Sequence, residues 1–307
     1  MIKIVVPLSK YLVFYELGKY LSEALKILDI KNQIIVEDIN NFQFNDEDIH
    51  IIYGCEIFSL ELLPKKYIIY QFEQLWAKVG CSSHLNKEDQ CKIFHNFINI
   101  IQKSMCVWEY SKPNIRFWRE RGVTVPIYHV PLGYVPSMEY GDCDIYQNIH
   151  PVGFIGCIPN MEKLNRRKNI LSSMESNNLV QIYNNNIWNN DDNRIGELCH
   201  TKGDVIKSID IGLIIYMYPT VVSSFDLYRV LLFIANKCLV ISEYSLDLEM
   251  DDLFSNYVEM GEYYTFEEKI KYYIANPKDR NNVINRAYEW LINNFKYSDF
   301  IPKDILQ

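Results

Sequence analysis

No apolar run in this 307-residue sequence approaches the roughly 18 consecutive positions that a membrane-spanning helix needs. The longest, such as Leu213 to Met217 and Val230 to Ala235, fall far short, so no transmembrane segment is expected. The first residues, MIKIVVPLSK, have only a brief apolar stretch and no small-residue cleavage site, so they read as a β-strand rather than a secretory leader. None of the 28 asparagines opens an Asn-x-Ser/Thr site, and the eight cysteines include no CxxC pair. Several cysteines sit in strand-like runs such as Met105-Cys106-Val107-Trp108, which points to reduced, buried thiols and a cytoplasmic chain. No basic block or basic amphipathic helix relieves the net charge of −8, which excludes duplex nucleic acid and anionic membranes as main partners. A small anionic ligand stays open, because it needs only one or two well-aimed cations. Neither G-x-G-x-x-G nor G-x-x-x-x-G-K-[ST] occurs, so dinucleotide and P-loop sites lack their fingerprints.

What is present is an alternation of strand and helix. The length suits two domains of about 150 residues each, and 49% hydrophobic with 23% charged residues is a globular composition. In the first half, strands are expected at residues 3–7, 33–37, 49–54, 67–71, 105–110 and 127–131, with helical periodicity over 11–29, 87–103 and 112–121. The second half restarts the pattern, with strands at 152–155, 180–183, 211–216, 238–242 and 257–260 and helices over 164–175, 223–236, 265–275 and 278–294. The segment PSMEYGDCDIYQNIH (136–150) has turn residues and no period, and reads as a linker. The expected organisation is one Rossmann-like domain over 1–140, a second over 151–290, and a closing helix and tail over 291–307.

Parallel sheets bind ligands beyond the carboxyl ends of their strands, where helix N-termini present free N–H groups. Two such domains facing each other across a cleft would line it with those loops. Helix 223–236 has Ser223 or Ser224 as candidate caps, with Asp226 and Arg229 in its first turn at the carboxyl end of strand 211–216. Arg229 is a candidate anion ligand, since a guanidinium fork matches phosphate oxygens. The same pattern also satisfies a plain Asp226–Arg229 surface pair worth about 0.2–0.5 kcal/mol. A second cationic candidate follows strand 152–155, where Gly156 begins a loop and a helix opens with Arg166, Arg167 and Lys168. Tyr183 and Tyr218, at strand ends, are candidates for stacking on a nucleobase or sugar. Glu73, just past strand 67–71, is the candidate general base, with Glu56 and Glu109 as alternates. Two metal-like patterns have little support. Asp142-Cys143-Asp144 lies in the linker with no strand before it, and Cys81, His84, Cys91 and His95 are irregularly spaced for zinc.

On these residues the second half resembles the donor domain of GT-B glycosyltransferases, especially the bacterial type related to CgeB proteins and other group-1 transferases. The matching pieces are the Gly156 loop, the R-R-x-x-I-L run at Arg166–Leu171, the Arg229-Val230-Leu231-Leu232-Phe233-Ile234-Ala235-Asn236-Lys237 helix before a strand, and the closing helices over 263–295. In the first half, IIYQFEQLW, VWEYSKPN and HVPLGY look like the acceptor domain of the same group. The resemblance implies an α/β GT-B fold and transfer of a sugar from a nucleotide-diphosphate sugar, a UDP-sugar by preference, to a saccharide or other hydroxyl acceptor. It implies no metal and no cofactor, with cationic side chains and helix N-termini stabilising the leaving diphosphate. Gly156, Arg167, Ser224, Asp226 and Arg229 would surround that diphosphate. The chain departs from the family at Leu232, where a donor-binding Glu is often found, and at Lys237, where Gly is usual. Asp226 replaces one expected carboxylate, and Glu243, after the next strand, is the candidate ribose contact. A catalytically silent sugar-nucleotide or glycan-binding subunit is the alternative that Leu232 raises, and a nucleotide-sugar epimerase of similar shape is a third.

Overall fold

The computed structural model describes residues 1–8, 11–37, 43–53, 63–72, 74–75, 96–141, 150–156, 158, 165–183, 195–218 and 223–306, with the backbone alone at 11–13, 165 and 195–201. The chain divides into two compact units, Met1–Val135 with Lys296–Gln307, and Pro136–Phe295.

The first unit is built on a six-stranded sheet of β1 (Ile2–Pro7), β2 (Asn32–Glu37), β3 (Ile49–Tyr53), β4 (Tyr67–Gln71), β5 (Cys106–Glu109) and β6 (Ile127–His129). The strand order is β2-β1-β3-β4-β5-β6, and the pairings are parallel. β4 and β5 are buried along their whole length, as expected of central strands covered on both faces. α1 (Tyr11–Ile27) crosses from β1 to β2, and α2 (Lys112–Glu120) follows β5. Ile52, Ile69, Val107, Phe117 and Trp118 form the centre of one core cluster.

The second unit repeats the plan with five parallel strands: β7 (Val152–Ile155), β8 (Gln181–Tyr183), β9 (Ile211–Ile214), β10 (Leu239–Glu243) and β11 (Glu259–Gly261), in the order β11-β10-β9-β7-β8. Its helices are α3 (Asn165–Ser176), α4 (Ile195–Ser208), α5 (Leu227–Ala235), α6 (Leu248–Phe254), α7 (Phe266–Ala275) and α8 (Pro277–Asn294). α5 is buried along most of its length against β9 and β10, which explains its apolar run. Lys237 follows it with φ 58°, the left-handed conformation that ends helices and favours glycine. The lysine thus stands where the resembling family has Gly, and its ammonium lies 4.9 Å from the centroid of the Tyr288 ring.

Two boundaries differ from the sequence reading. Residues 136–140, read as the end of the first domain and the start of a linker, belong to the second unit: Asn236 Nδ2 donates to Met138 O at 2.8 Å, and Tyr140 N donates to Asn236 Oδ1 at 2.8 Å. The last twelve residues, read as a tail after the second domain, belong to the first unit, where α9 (Tyr297–Phe300) is buried at its start. Gly133 permits this approach, because a Cβ there would lie 2.5 Å from the Tyr297 backbone. Tyr297 N donates to Tyr134 O at 3.0 Å. Among the described residues no helix is long and apolar enough to cross a membrane.

Candidate functional site

In the second sheet β7 has β9 on one side and β8 on the other, so the strand order reverses between β7 and β9. Such a switch point opens a crevice at the carboxyl ends of the two strands, because their connections leave toward opposite faces. Three arginines converge there. Arg229 Nη1 donates to Ile155 O at 3.2 Å, at the end of β7. Arg167 Nε donates to Ile215 O at 2.8 Å and Arg166 Nη1 to Tyr216 O at 3.0 Å, just past β9. Strand-end carbonyls beyond the ladder need donors, and the guanidinium groups supply them. Arg167 and Arg229 also share the Phe154 ring, with their guanidinium carbons 5.4 and 5.5 Å from its centroid. Gly156 borders the same spot, since a Cβ on it would sit 2.9 Å from Arg229 Nη1.

α5 begins at Leu227, four residues later than the sequence reading has it. Its cap is Asp226 rather than Ser223 or Ser224, and Asp226 Oδ1 accepts from Arg229 N at 3.3 Å. The other carboxylate oxygen accepts from Arg229 Nε at 2.8 Å and also from Nη2. A carboxylate can both cap a first turn and grip a side chain three residues on, which a serine hydroxyl does less well. Burial pushes the Asp226 carboxyl up, but Arg229, with help from Arg167, holds it below the usual range. Ser223 and Ser224 are both buried, and Ser223 Oγ donates to Tyr218 O at 3.2 Å.

Glu243, at the end of β10, is fully buried. Its Oε2 accepts from Tyr216 N at 2.7 Å and Arg166 Nη1 at 3.0 Å, while Oε1 accepts from Arg166 Nη2. The carboxylate expected near a ribose therefore anchors Arg166 and the exit of β9. Nothing in the sequence announced this partnership across 77 residues. Arg166 also lies 5.4 Å from the ring centroid of Tyr263, which is 42% exposed. Tyr183, half-buried at the end of β8, donates to Gln181 Oε1 at 3.0 Å, and burial pushes its hydroxyl up to about 12. Tyr218 is partly exposed, two residues beyond Tyr216.

Of the candidate bases, Glu56 and Glu73 lie outside the described residues. The alternate, Glu109, ends β5 with no exposed surface, and accepts from Asn114 Nδ2 and Trp118 Nε1, each at 3.0 Å. Burial raises its carboxyl to about 8 against the pull of these donors. A carboxylate so enclosed cannot reach an acceptor directly. Among the described residues no three His, Cys, Asp or Glu side chains converge to hold a metal ion. Residues 142–144 and the Cys81 to His95 pattern lie outside that set. Cys106 and Cys238 are described, and both are free, buried thiols that burial raises to about 12.

No protein-family model matches the sequence, and no curated protein is similar to it in sequence. Solved structures do match. Sucrose-phosphate synthase from Thermosynechococcus elongatus superposes with a TM-score of 0.61 at 10% identity, over 97% of this chain and 96% of that one. Anabaena HepE in complex with UDP-glucose gives 0.60 at 9% identity, over 99% and 97%. WaaG, a glycosyltransferase involved in lipopolysaccharide biosynthesis, gives 0.60 at 8% identity, over 99% and 98%. At these identities the likeness establishes the fold: two parallel-sheet α/β domains with the GT-B architecture.

Proposed function

We propose that the protein is a glycosyltransferase that moves a sugar from a nucleotide-diphosphate sugar, a UDP-sugar by preference, to a hydroxyl of a saccharide-type acceptor without a metal. The observation that carries this reading is the gathering of Arg166, Arg167 and Arg229 at the β7/β9 switch point, where two carboxylates, Asp226 and Glu243, meet three guanidinium groups. The GT-B likeness supports it, including structures titled as complexes with UDP and UDP-glucose.

Glycosyl transfer builds negative charge on the departing diphosphate, and fixed cations in a desolvated crevice stabilise that charge by several kcal/mol. Arg167 and Arg229 take this role. Arg229 is held in one rotamer by Asp226, and Arg167 by the carbonyl of Ile215, so neither has to reorganise as the charge develops. Gly156 and Ser224 border the phosphates, and Tyr183 and Tyr218 take the nucleobase. Glu243 enters as the anchor of Arg166 rather than as a ribose ligand. From the first unit, Glu73 removes the acceptor proton, with Glu56 as the second candidate.

The test is release of free nucleotide from a panel of nucleotide sugars with and without a chelator. Turnover that survives the chelator and is lost in Glu73→Gln and Arg229→Ala supports the proposal. Binding without turnover in any acceptor mixture identifies the silent subunit instead, for which the buried Leu232 in α5 is the motivating observation.

A further inference from the structure

We propose that Arg166 and Tyr263 form the subsite for the donor's sugar ring, and that the ring they suit is an uncharged pyranose with two adjacent hydroxyls. This deepens the glycosyltransferase reading and rests on its placing of the diphosphate at Arg167 and Arg229.

A guanidinium carries five N–H donors in one plane, with one parallel pair at its end and another along the edge that includes Nε. In Arg166 the end pair grips a carboxylate: Nη1 donates to Glu243 Oε2 at 3.0 Å and Nη2 donates to Glu243 Oε1. The second Nη1 hydrogen goes to Tyr216 O at 3.0 Å. That leaves Nε–H and the second Nη2–H, side by side, with no acceptor among the described residues. In Arg229 the same edge is closed, because Asp226 accepts from Nε at 2.8 Å and from Nη2. Glu243 and Tyr216 are buried, so Arg166 is fixed from the protein side while its side chain stays 27% exposed. A guanidinium held in this way offers two oxygens a preformed fork.

The open edge suits uncharged oxygens better than those of an anion. Glu243 already balances the Arg166 charge and is fully buried, so a second carboxylate would compete with it. Hydroxyls cost less to desolvate, and each can accept one N–H. The apolar partner is Tyr263, which is exposed and has its ring centroid 5.4 Å from the guanidinium carbon. An aromatic ring suits the C–H face of a pyranose, and a planar fork beside it suits two neighbouring ring hydroxyls. Tyr244, directly after β10, and Tyr264 are exposed as well, and the Tyr264 ring meets that of Tyr263 edge-on at 5.7 Å. Glu243 and Gly261 are register partners, so these tyrosines follow one shared carboxyl edge of β10 and β11.

The place in the sheet agrees with a sugar attached to the diphosphate. β10 and β11 follow β9 on the side away from β7, at about 5 Å per strand, whereas β8 and Tyr183 lie beyond β7. The order along the carboxyl edge is then nucleobase at β8, diphosphate at β7 and β9, and sugar at β10 and β11.

The experiment is calorimetric titration of the whole chain with UDP, UDP-glucose, UDP-galactose, UDP-N-acetylglucosamine and UDP-glucuronic acid. Tyr263→Ala removes an exposed ring, and Arg166→Lys keeps a cation beside Glu243 but loses the second edge. Each is expected to weaken the tightest uncharged UDP-sugar about tenfold and to leave UDP within about twofold, with Tyr263→Phe close to the unaltered protein. Equal effects on UDP and that UDP-sugar in either variant, or no effect on both, overturn the inference. Losses confined to UDP-glucuronic acid overturn the choice of an uncharged ring. If the unaltered protein binds neither UDP nor any of its sugars, the nucleotide-sugar reading itself fails and this subsite falls with it.

Discussion

The hydroxyls of Tyr70 and Tyr297, 227 residues apart in sequence, meet at 2.7 Å in the interior of the first unit. Tyr70 donates to Val130 O at 2.8 Å, so in this pair Tyr297 is the donor. The bond ties the end of the chain to a central strand. Tyr297→Phe removes the donor and should cost about 1 kcal/mol, whereas Tyr70→Phe also strips the buried Val130 carbonyl and should cost about 1–3 kcal/mol. Urea unfolding of both single variants and the double variant checks this, and a coupling of zero would mean that the hydroxyls do not interact.

Glu109 makes stability depend on pH. Burial raises its carboxyl from the ordinary value of 4.5 to about 8 in the folded protein, so its contribution is fully present below pH 4.5 and is lost as the pH rises through 8. The loss amounts to about 5 kcal/mol at most over that interval. Glu109→Gln removes the titration, so its unfolding free energy should vary less between pH 5 and 9 than that of the unaltered protein. Parallel denaturation curves at each pH provide the measurement, and identical pH slopes would contradict it.

Lys237 bears the strain of a left-handed backbone at φ 58°. Both Lys237→Ala and Lys237→Gly lose the ammonium over Tyr288, but only glycine relieves the backbone. The glycine variant should therefore be more stable than the alanine variant by about 1 kcal/mol. Thermal unfolding of the two distinguishes them, and equal stability would show that the backbone relaxes elsewhere.

Most of the fold was legible because central parallel strands read as unbroken apolar runs: Ile68-Ile69-Tyr70 and Leu239-Val240-Ile241 admit little else. α4 was missed because IGELCHTKGDVIKS has two glycines and a weak apolar stripe, and α6 because it is seven residues long and announced mainly by its Asp247 cap. The cationic crevice was visible at Arg167 and Arg229, each beside a strand end and a helix start. The carboxylates that hold these arginines were harder to read. Asp226 looked like half of a surface pair, yet it also caps α5, and Glu243 reaches Arg166 only once β10 lies beside β9. Asn114 closes the VWEYSKPN run five residues after Glu109, but its bond to Leu75, 39 residues away, gave no signal.

The most direct measurement is the location of the donor's phosphates in a crystal of the protein grown with UDP or a UDP-sugar. The structure predicts phosphate oxygens within hydrogen-bond reach of Arg167 and Arg229, beside Gly156 at the carboxyl ends of β7 and β9. Phosphates bound away from both guanidinium groups, or nucleotide affinity unchanged in Arg167→Ala and Arg229→Ala, would contradict it.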